Sequence, residues 1–149
     1  MNSIAKRCSV AVVLALVVLL PHYQQLKTSP EGLALIANLE GCRLEAYPCT
    51  SGVWTSGIGH TAGVKPGHRI SERQAATHLL ADVLWVEKRL AVCLPVKMPQ
   101  PVYDAVVSFA FNVGTAAACR STLATLISGA QLVSNCRAGH TLTAYGIGA

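Results

Sequence analysis

The segment that most constrains the fold of this chain lies between residues 44 and 58, where glycines and a proline interrupt helical periodicity. Pro48 and the β-favouring run Val53-Trp54-Thr55 predict turns and short strands rather than a helix. The segments on both sides have apolar residues at helical spacing. A small β-containing lobe set between helices is therefore predicted, which makes the fold class α+β.

The helices predicted around this lobe cover residues 30–40, 71 to about 90, 102–113 and 121–127. Ser29 fits the N-cap of the first helix, Pro30 fits its first position and Gly41 fits its end. Ser71 begins the second helix with the pattern of a capping box. The third helix is apolar nearly all round, so we expect it to be buried.

The beginning of the chain has the order of a secretory signal, with Lys6 and Arg7 before an apolar run from Cys8 to Leu20. The basic flank should stay in the cytoplasm while the rest of the chain is exported. A helix made from this run would span roughly 20 Å, against about 30 Å for a hydrocarbon core. We therefore interpret residues 1–25 as a weak, uncleaved membrane anchor and residues 26–149 as one folded domain. A cleaved signal peptide is the alternative.

The composition limits the partners of the exported domain. A net charge of +5 and a pI near 9.0 suit an anionic polymer such as a cell wall, a lipid surface or a nucleic acid. No basic cluster is interleaved with aromatic residues, so we expect no nucleic-acid partner. Six cysteines without Cys-x-x-Cys spacing predict neither a metal site nor a cofactor, but export would place them where disulfides form. We expect a monomer.

Glu40 is the first candidate for chemistry, because it is predicted at the end of a helix, beside a glycine and apolar neighbours. Such a setting can raise the pKa of a carboxyl group and keep a proton available for donation. Glycoside hydrolysis also needs a second group across the substrate cleft. The next acidic residues are Glu45 and Glu72, so the residues alone do not assign that group.

A resemblance to a known family carries the assignment further. The residues EG-R-L-AY from Glu40, followed by T-GIGHT from Thr55, are similar to the active-site segment of the phage-type lysozymes. The pattern of that family is Glu, eight residues, Asp, five residues and Thr, which falls here on Glu40, Cys49 and Thr55. The resemblance implies a lysozyme-like fold, with a small β-containing lobe and a mainly helical lobe flanking a cleft. It also implies hydrolysis of the β-1,4 glycosidic bonds of peptidoglycan during host lysis.

Position 49 is Cys where the family has Asp, and in this the chain resembles one subclass, the signal-arrest-release endolysins. Such proteins can have a cysteine in the anchor, one two residues after the catalytic Glu and one in the Asp position. Cys8, Cys42 and Cys49 fill these places. The resemblance implies a Cys42–Cys49 disulfide that silences the anchored protein, and an exchange with Cys8 that frees Cys49. It also implies tethering to the host inner membrane, facing the periplasm, and later release into the periplasm.

The resemblance implies that Glu40 donates a proton to the glycosidic oxygen, while Cys49 with Thr55 activates or replaces the attacking water. A covalent intermediate on Cys49 stays an open alternative. A thiol with an ordinary pKa of about 8.5 is only about 3% thiolate at pH 7. Either Arg43 or another local donor lowers the pKa of Cys49, or Glu40 stays protonated and the pair works as acid and thiolate.

Other residues near this segment have expected roles. Tyr47 and Trp54 are candidates for stacking on sugar rings, and core packing is the equal alternative for Trp54. By register with the family, His60 is expected to form a buried structural pair with Asp82. Three further histidines show no ligand spacing and are expected at the surface, namely His68, His78 and His140.

Cys119 and Cys136 match the spacing of a second, structural disulfide in similar endolysins, which leaves Cys93 over. After residue 136 the sequence RAGHTLTAYGIGA departs from the family, as if the chain were truncated or out of frame there. A catalytically impaired remnant that still binds glycan is therefore an alternative to an active enzyme. A membrane-permeabilising protein of the holin type is a further alternative, which rests on the apolar N-terminus alone.

Overall fold

The structure of the chain, a computed structural model, describes residues 7–136, with side chains described up to residue 129. The described chain divides into two compact units. The first contains residues 7–26 and 33–84, and the second contains residues 27–32 and 85–136. The predicted boundary at residue 25 concerns membrane attachment and stays a prediction.

Helices and one small sheet make up the described chain, which confirms the predicted α+β class. The helices are α1 Val10–Val18, α2 Pro30–Glu40, α3 Glu72–Cys93, α4 Gln100–Val113, α5 Thr115–Cys119 and α6 Thr122–Cys136, with a 3-10 turn at Tyr23–Gln25. The strands are β1 Arg43–Pro48 and β2 Trp54–Gly57. They pair antiparallel in a two-stranded sheet, within the segment that was predicted to form turns and short strands.

The start of α2 follows the predicted capping pattern. The N–H of Gly32 donates to Ser29 Oγ at 3.1 Å, and Pro30 is the first helical residue. Leu33, Ile36 and Ala37 are buried, so this face of the helix contributes to the core. The local sequence therefore determines the residue at which α2 begins and the apolar face that the helix buries.

The start of α3 is a capping box, as predicted. Ser71 Oγ accepts from the N–H of Gln74 at 3.1 Å, and Gln74 Oε1 accepts from the N–H of Ser71 at 2.8 Å. The helix then continues to Cys93, three residues beyond its predicted end. Its inward residues in the first unit are Ala75, Ala76, Leu79, Leu80 and Val83.

The predicted core helix is α4, which ends at Gly114 as expected. Val102, Val106 and Val107 are buried, whereas Ala105, Asn112 and Val113 are exposed. The expectation of burial nearly all round is therefore wrong, because an alanine and an asparagine let one face meet solvent. The short helix α5, which follows Gly114, was not predicted.

Two buried carboxylates hold the entry to α2 in the second unit. Glu87 accepts from the N–H groups of Lys27 and Thr28 and from Thr28 Oγ1 at 2.6–3.1 Å. Asp104 accepts from the N–H of Ser29 at 3.0 Å, from Ser29 Oγ and from the side chain of Gln100 at 2.8 Å. Buried carboxylates with several donors each stabilise the local backbone strongly.

The second unit contains a disulfide between Cys93, the last residue of α3, and Cys119, the last residue of α5. The Cα atoms of the pair are 5.7 Å apart, within the usual range for a disulfide. The predicted Cys119–Cys136 pairing is therefore wrong, because α5 carries Cys119 to the end of α3 instead. Cys93 is not left over. The predicted departure of the sequence after residue 136, and His140 within it, lie outside the described residues.

The apolar N-terminal run forms α1, whose end is near Leu19. Val13 and Val17 are fully buried, whereas Leu19 is 79% exposed. Among the helices that the structure describes, none is both long and apolar enough to cross a membrane.

Candidate active site

Glu40 is the last residue of α2, and Gly41 follows it with a φ of +72°. The N–H of Gly41 still bonds to the carbonyl of Ala37 at 2.9 Å. This left-handed glycine ends the helix and lets β1 begin at Arg43, so the carboxyl group lies where helix and sheet meet. The predicted position of Glu40 is confirmed; its role as an acid stays a prediction.

Cys49 begins the loop that joins the two strands. Its N–H donates to the carbonyl of Val53 at 2.9 Å, and its own carbonyl accepts from the N–H of Gly52 at 2.8 Å. Gly52 has a φ of +83°. A three-residue hairpin loop of this kind needs a residue in the left-handed region at its last position, which glycine supplies without strain. The loop therefore holds Cys49 next to Ser51.

The Cys49 thiol lies 2.9 Å from Ser51 Oγ. Hydrogen bonds from the Ser51 side chain and backbone lower the pKa of Cys49, and the backbone of Val53 and the Thr55 side chain add to this. Arg43, the sequence-based candidate for this effect, instead places its guanidinium over the ring of Tyr47, 4.6 Å from the centroid. The local donor is therefore Ser51, which sequence reasoning missed.

The sheet brings Tyr47 and Thr55 opposite each other as a cross-strand pair. Thr55 is buried, and its hydroxyl donates to the carbonyl of Val53 at 3.1 Å. Burial raises the pKa of Tyr47, the charge of Arg43 lowers it, and the charges of Glu40 and Cys49 raise it. Since the charges of Glu40 and Cys49 both reach Tyr47, the structure brings these residues into one neighbourhood within the first unit.

Trp54 is partly buried and pairs with Pro48 on β1. This environment is intermediate between the two alternatives of sugar stacking and core packing. Its role therefore stays a prediction.

His60 contacts Asp82 as predicted, with its Nδ1 2.7 Å from Asp82 Oδ2. The pair is partly rather than fully buried, at 12% and 28% exposure. The ring of His60 also stacks on His78, with centroids 4.1 Å apart. His78 is therefore not a surface residue, because α3 carries it onto the His60 ring, and its Nδ1 is buried without a hydrogen-bond partner.

Burial sets the ionisation of this cluster. It raises the pKa of Asp82, an effect that the hydrogen bond and charge of His60 partly offset. It lowers the pKa of His78, to which the charge of His60 adds. Within residues 7–129 no three side chains are arranged to hold a metal ion. The geometry is that of a packed structural cluster.

Cys8 and Cys42 form a disulfide, with Cα atoms 5.2 Å apart. The backbone supports this disulfide. The N–H of Cys8 donates to the carbonyl of Cys42 at 3.2 Å, and Arg7 forms an isolated antiparallel β-bridge with Arg43. Cys49 is free. The structure thus contains the pairing that the resemblance implies after exchange, rather than a Cys42–Cys49 bond.

Residues 37–142 match the family model of phage lysozyme. The chain belongs to the phage lysozyme family. Over 108 residues it is 39% identical to the SAR-endolysin of Escherichia phage P1, which covers 72% of this chain and 57% of that protein. Over 95 residues it is 42% identical to the endolysin of Acyrthosiphon pisum secondary endosymbiont phage 1, which covers 64% of this chain and 65% of that protein.

Solved structures agree with this assignment. The active form of the P1 phage endolysin Lyz matches with a TM-score of 0.67 at 37% identity, covering 74% of this chain and 61% of that chain. The muramidase domain of SpmX from Asticaccaulis excentricus matches with a TM-score of 0.61 at 30% identity, covering 77% and 82%. The fold is therefore lysozyme-like, with a two-stranded sheet and a mainly helical body. The chain spans between 37% and 70% of the length of the curated relatives it matches.

Proposed function

We propose that this chain is an endolysin, a muramidase that hydrolyses the β-1,4 glycosidic bonds of peptidoglycan in host lysis. The observation that carries the proposal is the free Cys49 thiol, which occupies the acidic position of the family pattern while Cys42 is bonded to Cys8. Family membership and the shared neighbourhood of Glu40, Tyr47 and Cys49 support it.

In the proposed reaction Glu40 donates its proton to the glycosidic oxygen as the bond to the anomeric carbon breaks. Cys49, as a thiolate, takes a proton from the attacking water, whose oxygen bonds to that carbon. Return of the proton from Cys49 to Glu40 through solvent completes the cycle. Thr55 supports this step, because its side chain helps to lower the pKa of Cys49.

The proposed regulation is a thiol–disulfide exchange. In the silent form Cys42 is bonded to Cys49, so that Cys49 can act neither as base nor as nucleophile. The Cys8 thiolate attacks the sulfur of Cys42, the Cys42–Cys49 bond breaks, and Cys49 leaves as a thiolate. The number of disulfides is unchanged, so the step needs no external oxidant. The described pairing corresponds to the product of this exchange.

The proposed exchange requires that Cys8 is first kept away from the folded domain, and attachment to a membrane would achieve this. Residues 1–25 would tether the chain to the host inner membrane and hold Cys8 away from the domain that faces the periplasm. The short apolar run of α1, with exposed Val18 and Leu19, supports a weak tether that can leave the bilayer. After release the protein would act as a periplasmic monomer on peptidoglycan.

Clearing of purified peptidoglycan by the full chain tests the proposal, with and without reductant. The wild type in its Cys8–Cys42 form should clear in both conditions. Cys8→Ser should clear only with reductant, because Cys42 then lacks Cys8 as a partner and pairs with Cys49. Glu40→Gln should lose about a hundredfold or more of the rate in both, which is typical of a removed general acid.

The matched control for Glu40→Gln is Glu31→Gln, which neutralises an exposed carboxylate at the other end of the same helix. It should clear like the wild type. Equal clearing by Cys8→Ser in both conditions would refute the disulfide regulation. No clearing by the folded wild type would refute the enzyme and favour a remnant that binds glycan without turnover.

A further inference from the structure

The loop that carries Cys49 also carries a hydroxyl group that contacts its sulfur. Ser51 Oγ and Cys49 Sγ are 2.9 Å apart, well within the range for a hydrogen bond to sulfur. Both residues are near solvent, with Ser51 exposed and Cys49 partly exposed. Neither burial nor core packing therefore explains the contact.

The backbone of the loop fixes this geometry. The bonds from Gly52 N–H to the Cys49 carbonyl and from Cys49 N–H to the Val53 carbonyl close the turn around residue 51. The backbone of Ser51 also helps to lower the pKa of the Cys49 thiol. A hydroxyl group in contact with the sulfur stabilises it most when the sulfur is negatively charged, because hydrogen bonds to an ion are stronger than those to a neutral group.

We propose that Ser51 is a positioning residue, whose hydrogen bond holds Cys49 in place as the thiolate that acts in the hydrolytic step. This inference rests on the proposed function, in which Cys49 acts as the base. Ser51 does not touch the sugar in this scheme. It acts through Cys49. A family member with Asp in place of Cys49 would not need such a donor, because a carboxylic acid is already ionised at neutral pH.

The charged groups around the loop do not supply the same effect. Glu40 would disfavour a nearby thiolate by its charge, and Tyr47 offers no positive charge. The guanidinium of Arg43 is occupied with the Tyr47 ring at 4.6 Å. The pKa of Cys49 is lowered, and the hydrogen bond to the Ser51 side chain is the largest cause, which agrees with the geometry. Ser51 is thus the group whose removal should matter most.

The test is the pH dependence of Cys49 alkylation by iodoacetamide in the full chain with its Cys8–Cys42 bond intact, followed at Cys49 by peptide mass spectrometry. Only the thiolate reacts, so the midpoint of the profile reports the pKa of Cys49. Ser51→Ala should move the midpoint to higher pH. Well below the midpoint, the thiolate fraction should fall by about tenfold for each pH unit of that movement.

Two variants serve as controls. Ser51→Thr keeps a hydroxyl and should restore most of the wild-type midpoint. Thr50→Ala removes the exposed neighbouring hydroxyl and should leave the profile unchanged. An unchanged midpoint in Ser51→Ala, or a movement as large in Thr50→Ala, would overturn the role of Ser51.

Alkylation needs no turnover, so this result stands apart from the proposed enzymatic activity. If the wild type also clears peptidoglycan, the acidic limb of its pH–rate profile should follow the alkylation midpoint in the wild type and in Ser51→Ala. A midpoint that moves while the clearing profile stays in place would overturn the link between Ser51 and hydrolysis. Failure of the wild type to clear would count against the proposed function and not against the Ser51–Cys49 contact.

Discussion

Replacing Gly32 by alanine should destabilise this protein, although the same change usually stabilises a helix. Gly32 lies in the first turn of α2, where an added Cβ would be 2.6 Å from Asp104 Cγ and 2.7 Å from Thr28 Cγ2. Carbon atoms in ordinary contact are about 3.5–4.0 Å apart, so the carboxyl group would have to move by about 1 Å. Asp104 is buried and cannot swing into solvent.

The size of the effect follows from the hydrogen bonds of Asp104. A displacement of this size would stretch its bonds to the N–H of Ser29, now 3.0 Å, and to Gln100, now 2.8 Å, to or beyond the useful range. Each hydrogen bond to a charged group contributes about 1.5–3 kcal/mol. The gain in helix propensity from Gly to Ala offsets only about 1 kcal/mol. Loss of one such bond and weakening of the other gives a net loss of about 2 kcal/mol.

Gly129→Ala is the matched control, because Gly129 also lies in a helix, α6, and an added Cβ there meets nothing within 4 Å. That variant should gain about 0.5–1 kcal/mol from the lower backbone entropy of its unfolded chain. Equilibrium unfolding in urea of both variants and the wild type measures the two changes. A gain in the free energy of unfolding for Gly32→Ala similar to that of Gly129→Ala would refute the packing argument.

Two further predictions concern the cores of the units. The double variant Cys93→Ser/Cys119→Ser should lower the free energy of unfolding measured in urea by about 3.5 kcal/mol, the loop-closure value for this sequence separation. A Cys119–Cys136 peptide in non-reducing mass mapping would contradict the pairing. His78→Phe keeps a ring beside His60 but cannot titrate. The pKa of His78 is lowered in the folded state, so the unfolded chain takes up the proton first and stability is lost as pH falls below the ordinary value of 6.5. In the variant, the free energy of unfolding measured in urea should therefore depend less on pH below 6.5. An unchanged pH dependence would show that groups other than His78 cause it.

The features predicted correctly from sequence are those that neighbouring residues determine. Ser29 and Ser71 cap their helices through hydrogen bonds to residues three positions on, and Gly114 ends α4. The short strands likewise lie where glycines and a proline interrupt helical periodicity beside a β-favouring run. In each case the deciding contact spans only a few residues, so the local pattern contains the information.

The features predicted wrongly depend on which elements meet in three dimensions. Cys119 pairs with Cys93 because α5, which sequence reasoning missed, brings it to the end of α3. His78 is partly buried because its ring meets His60 from another element. Spacing between cysteines or histidines does not report such contacts. The His60–Asp82 pair was accessible only through register with a family.

Ser51 is a case between these two. The residues Cys-Thr-Ser-Gly between two strands are typical of a tight hairpin loop, and such a loop turns the residue two positions on back towards the first. The sequence therefore held a local signal that a hydroxyl donor would be near Cys49. Because a positive charge stabilises a thiolate more than a hydroxyl group does, the sequence favoured Arg43, whose guanidinium instead lies over the Tyr47 ring.

The contacts of Cys49 and those of Cys42 differ in range, and this difference bears on the proposed regulation. The hydrogen bonds that set the Cys49 environment all come from residues 51–55 of one hairpin. The disulfide of Cys42 joins it to Cys8, 34 residues away in the sequence. Backbone pairing of Cys8 with Cys42 and of Arg7 with Arg43 supports this disulfide. Because these sets share no side chain, the hydrogen bonds of the Cys49 loop do not depend on the Cys8–Cys42 bond.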